Sequence, residues 1–187
     1  MISVLKKPLF SSTDKALSWV YNFQGRIKPM VIVKEEGRRP KNPNAIGGLD
    51  GAAQAGMIKS MVSDLGRPSE CVLICRYATH SQKCPHCADG VIMVQVVKQA
   101  IVDLVPFVRA SALVGTSARD HATATYILQY FRPEKQKKTL VDLAEKLGFE
   151  ERAVKAHIQK SFHALHTLEN DAWRRIEASL RVAGIVV

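Results

Sequence analysis

Gly148 does more than any other residue to limit what this chain can fold into. Before it, Leu140, Leu143, Ala144 and Leu147 make one stripe at helical spacing. After it, Val154, Ile158, Phe162 and Leu165 make another. Glycine takes a left-handed turn at little cost, so the pattern predicts a short helix, a tight turn and a longer helix. Small Ala144 suits a close crossing of the two. Phe149 follows the turn as an apolar plug. This is the order of a helix-turn-helix. A structural helical hairpin with a solvated outer face has the same order.

If Val154, Ile158 and Leu165 point inward, then Arg152, Ala156, Gln159, Lys160 and His163 point outward, with Lys155 on the flank. Arginine and glutamine make paired hydrogen bonds to base edges, and lysine meets phosphate. The preceding "EKQKK" places Lys135, Lys137 and Lys138 beside the first helix. Glu150 and Glu151, at the start of the second, repel phosphate. The candidate DNA-binding set is Lys137, Lys138, Arg152, Lys155, Gln159, Lys160 and His163.

The charge balance points the same way. In 187 residues, 27 basic and 17 acidic side chains leave a net +10, which favours negatively charged partners. A chain of this length buries one good core or two small ones. Without a charged-then-apolar leader or a bilayer-length apolar run, it is expected in the cytosol, where disulfides are unfavoured.

The rest reads as helical, for an all-α fold. Ser12-Thr13-Asp14 starts a helix carrying Ala16, Leu17, Trp19 and Val20. From Arg26 to Gly48 the chain is rich in Lys, Arg, Pro and Gly and reads as a basic arm or long loop. Lys28, Lys34, Arg38, Arg39 and Lys41 are its basic cluster. Asp50 is a cap for the next helix, and Gly66 closes it. Pro68-Ser69 opens the short apolar helix "SECVLICRYATH". The apolar run "VIMVQVVKQAIVDLVPFVRASALV" reads as one long helix with a kink or break at Pro106. "ARDHATATYILQYF" reads as another, ending before Pro133. The expected division is an arm with its helix (1–48), a helical body with a cysteine loop (49–131) and a helix-turn-helix module (132–187).

All four cysteines lie in "CVLICRYATHSQKCPHC". Cys71 and Cys75 stand one helical turn apart, and Cys84 and Cys87 form a CxxC knuckle. Together they make a candidate structural zinc site, in which His80 or His86 can replace one thiolate. Plain burial explains Cys71 and Cys75 equally well, but not the polar knuckle. A thioredoxin-like redox site is disfavoured: no strand leads into CPHC, and no proline follows Pro133 to serve as the cis-proline of that fold. No Ser-His-Asp set, paired-carboxylate site or Gly-Lys-Ser/Thr phosphate loop stands out, so no enzyme is expected.

"TLVDLAEKLGFEERAVKAHIQKSFHALHTL" resembles region four of bacterial sigma factors, which grips promoter DNA. It departs at Glu150, where a capping Ser/Thr is usual, and at His157, a position commonly apolar. The second departure implies a rotated or differently packed recognition helix. Arg76-Tyr77 and the tail from Leu168 to Ile185 extend the resemblance to phage late-gene regulators of the Q antiterminator type and to sigma-like phage activators. That resemblance implies binding to double-stranded DNA near a late promoter and loading onto bacterial RNA polymerase, with or without its sigma factor, in the host cytoplasm; the basic arm, with Lys28, Lys34, Arg38, Arg39 and Lys41, would then lie against polymerase or RNA. The competing reading is a zinc-stabilised protein-interaction module without DNA binding.

Overall fold

The computed structural model describes residues 8–23, 48–84 and 91–187. Within them the chain is mostly helical, with one two-stranded sheet. The basic arm, Lys28, Lys34, Arg38, Arg39 and Lys41 included, lies outside the described residues. So do His86 and Cys87.

Helix α1 (Thr13–Asn22) starts where expected: the Ser12 side chain accepts from Lys15 N at 3.3 Å, satisfying one unpaired donor of the first turn. It buries Ala16, Leu17 and Val20. Trp19 sits half-buried between the rings of Phe10 and Phe23. Helix α2 (Gly48–Ser63) begins ahead of Asp50. Helix α3 (Arg67–Tyr77) has a proline in its first turn, where no hydrogen bond is lost. Val72, Leu73, Ile74 and both cysteines are buried on it. A helix apolar on every side belongs in the centre, and α1, α2, α4 and α7 surround α3.

The all-α expectation holds among the described residues, with one short sheet following α3. Ser81–Lys83 (β1) and Val91–Met93 (β2) pair antiparallel, with Gln82 opposite Ile92. "VIM" opens the run read as one long helix. A short apolar run of branched residues fits strand or helix by pattern alone, and the returning β1 decides it. Helix α4 (Gln95–Ala112) follows and is not broken at Pro106. That ring sits on the exposed side, so the lost backbone bond falls at the surface and the buried face of Ile101, Leu104, Val105 and Val108 continues past it.

Helix α5 (Asp120–Phe131), a 3-10 turn (Glu134–Gln136), α6 (Leu140–Leu147) and α7 (Glu151–Val182) complete the chain. On α7 a single stripe goes inward: Val154, His157, Ser161, Leu165, Ala172, Ile176 and Leu180. It packs on α3, α4 and α5 as well as α6. The buried side chains from Ala16 to Val186 form one cluster. At the far end the Phe10 N–H donates to Ile185 O at 3.0 Å, beside a parallel bridge between Phe10 and Val186. Among the described residues no helix is long and apolar enough to cross a membrane.

Candidate nucleic-acid interface

The turn at Gly148 is built from both sides. At the start of α6, Thr139 Oγ1 accepts from Asp142 N while Asp142 Oδ2 accepts from Thr139 N, both at 3.2 Å, a reciprocal capping box. These bonds hold the Asp142 carboxyl below the usual carboxylate range. At the other end Gly148 adopts φ 67°, ψ 33°. The Phe149 N–H reaches back to Ala144 O at 3.2 Å, ending α6 and starting α7 in a new direction. Glu150 occupies the cap of α7 without a side-chain cap bond.

His157 anchors the first turns of α7. Phe149 meets its ring edge-on, with centroids 5.9 Å apart. Its Nδ1 lies 3.4 Å from the Tyr126 hydroxyl of α5. Burial, and then the charge of Lys160, push the imidazole below its usual pKa, so it packs as a neutral ring. The inward register therefore differs from the apolar count: His157 and Ser161 take the deep positions, and Ile158 and Phe162 are half-buried.

The outward face survives that shift. Arg152, Lys155, Ala156, Gln159, Lys160 and His163 are all exposed. From Arg152 to Leu168 the helix carries no carboxylate. Among the described residues, no ion pair engages Arg152, Lys155 or Lys160. Lys138 is exposed, and its carbonyl accepts from Gln129 at 2.8 Å. Lys137 is committed elsewhere: it pairs with Glu134 at 2.6 Å and sits 5.9 Å from the Phe162 ring centroid. It steadies the α5–α6 link and is the least free of the expected contacts.

A second polar node supports α7 from behind. The Arg76 guanidinium donates twice to Glu169, at 2.5 and 2.8 Å, and Tyr130 donates to the same carboxylate at 2.7 Å. The guanidinium also lies over the rings of Tyr130 and Phe131. Arg76 and the tail were singled out in the sequence, but nothing local marked them as partners.

Cys71 and Cys75 are fully buried in α3. Desolvation pushes the Cys71 thiol up to about 11 and the Cys75 thiol higher still. Uncharged packing explains both. Cys84 lies at the end of the β1 strand. Among the described residues no three metal-capable side chains come together, so Cys71, Cys75 and Cys84 do not form such a group, while Cys87, the fourth expected ligand, lies outside the described residues. No protein-family model matches this chain, and neither the curated proteins nor the solved structures contain a match to it.

Proposed function

We propose that this chain is a sequence-specific DNA-binding regulator of transcription, and that α6, Gly148 and the first half of α7 form its helix-turn-helix. The observation that carries the reading is the exposed face of Arg152, Lys155, Gln159, Lys160 and His163, which follows the glycine turn and Glu150-Glu151, and whose Arg152, Lys155 and Lys160 enter no ion pair among the described residues. Arg152 and Gln159 read base edges in the major groove, while Lys155 and Lys160 lie toward phosphate. Lys138, beside the first helix, adds a backbone contact.

The partner is bacterial RNA polymerase, and the activity is phage late-gene antitermination of the Q type. The support here is the resemblance carried by the region-four-like stretch, Arg76-Tyr77 and the tail, together with the net +10 charge. A sigma-like activator of initiation is the alternative within the same class.

Gel-shift titration of duplex DNA at several salt concentrations tests the core of the proposal. Specific binding weakens steeply with salt, because each neutralised phosphate releases counterions. Equal affinity for every duplex overturns it. Transcription with purified polymerase then separates the two activities: an antiterminator raises read-through of a downstream terminator, and an activator raises the number of starts.

A further inference from the structure

We propose that the trough between α4 and α5, closed at one end by β2, is a docking groove for an acidic amphipathic helix of a partner protein. The trough shares no residue with the α7 face assigned to DNA, though its rim residue Lys146 belongs to α6, and it does not rest on that assignment. Its main cleft, about 560 Å³, is floored by Ile92, Ile101, Val102 and Leu128 and flanked by Lys98 and Lys146. A second cleft of about 370 Å³ shares Val102, His121 and Ala124 with it, carries the apolar lining on to Val105 and Pro106, and ends at Asp120. Large apolar side chains are open here: Val102 is 51% exposed and Ile92 40%. Apolar surface gathered in a concave site, rather than scattered, marks a place that another molecule covers.

Charge decides what covers it. The main cleft is lined by two lysines and by no carboxylate. The acids of the two flanking helices are already taken. Asp103 is bonded by Arg67 and Gln99, and Asp120 pairs with Arg109 at 2.6 Å. A second copy of a chain with a net charge of +10 is a poor electrostatic match for that rim. Two helices side by side offer a groove that accepts the ridge of a third, so the fitting occupant is a helix with an apolar stripe and carboxylates along its edges.

The test uses the full chain and synthetic peptides followed by fluorescence anisotropy. One peptide carries leucines on one helical face and glutamates beside them. Its counterpart replaces every glutamate with lysine, and a third peptide has the acidic sequence scrambled. The acidic amphipathic peptide binds, and a photo-crosslinker on its apolar face labels the trough. Val102→Glu, Lys98→Glu and Lys146→Glu each weaken binding about tenfold, as expected for loss of an anchor or of a charge contact. All three positions are exposed, so melting temperatures stay within a degree or two of the parent. Val102→Glu and Lys98→Glu, both on α4 and outside the helix-turn-helix, keep their DNA affinity, which separates this outcome from failure of the DNA reading. Equal binding of the lysine peptide, or of the scrambled one, overturns the proposal. So does acidic-peptide binding that is indifferent to all three substitutions. Self-association relieved by Val102→Glu would assign the trough to a second copy instead.

Discussion

Arg76 and Glu169, 93 positions apart, close a two-bonded ion pair that clamps the middle of α7 onto α3. The pair is partly screened, with the Arg76 side chain 39% exposed. Tyr130 completes the carboxylate's bonding. Arg76→Ala should cost about 1–2 kcal/mol, less than a fully buried pair because water reaches the guanidinium. Urea denaturation of Arg76→Ala, Glu169→Gln and the double variant checks this. A coupling energy indistinguishable from zero would refute the clamp.

Gly148 has room for a side chain but not the backbone for one: a Cβ there meets nothing within 4 Å, while φ is 67°. Gly148→Ala should therefore destabilise by about 1–2 kcal/mol from backbone strain alone. Gly148→Asn should cost less, since asparagine tolerates the left-handed region. Thermal melting of both variants gives the order.

On the outward face of α7, Arg152→Ala or Gln159→Ala should cost roughly 1–3 kcal/mol at the cognate site and relax its sequence preference. Lys155→Ala and Lys160→Ala should weaken cognate and random duplexes together and flatten the salt dependence. Lys137→Ala should show in stability before it shows in affinity, because that lysine is held by Glu134 and Phe162. Anisotropy titrations with cognate and random duplexes, paired with melts, separate the three behaviours.

Burial holds His157 below its usual value near 6.5. The folded protein thus takes up that proton at lower pH than the unfolded chain does. Within that window the unfolded state binds more protons, so stability is full above about 6.5 and falls as pH drops below it. His157→Gln should remove this part of the slope. Urea midpoints measured across the window for both proteins read it, and parallel curves would count against a buried neutral imidazole.

Cys71 and Cys75 should resist thiol reagents while the protein is folded, because both are buried and neutral. Once the protein is denatured, all four cysteines should react. Mass spectrometry of the labelled peptides after a short exposure checks the order. Rapid native labelling of either α3 thiol would place it outside the core.

Much of this fold could be read from local signals. Ser12 capping α1, Gly66 and Pro68 framing α3, and Gly148 ending α6 each act through nearest neighbours, and each sits where its chemistry predicts. Three features lacked such a signal. Val91–Met93 is apolar and branched, and only its distant partner makes it a strand. Pro106 marked a break because helix rules weigh the lost bond, but its outward position leaves the buried face of α4 intact. The inward register of α7 turned on Tyr126 receiving His157, a polar contact across helices that a count of apolar residues passes over. The outward basic residues were found despite that shift, because a change of register of under half a turn leaves the middle of the exposed face exposed.

The unbroken length of α7 makes it a ruler. Its 32 residues reach about 48 Å at 1.5 Å each, farther than a recognition segment needs. One end carries the face proposed to meet the duplex, and the other is pinned beside Phe10 by Ile185 and Val186. On that proposal, anything held by the body stands at a set distance and bearing from the DNA. A single residue inserted in mid-helix would swing one end about 100° against the other. A transcription complex assembled on this protein would inherit its spacing from the pitch of one helix.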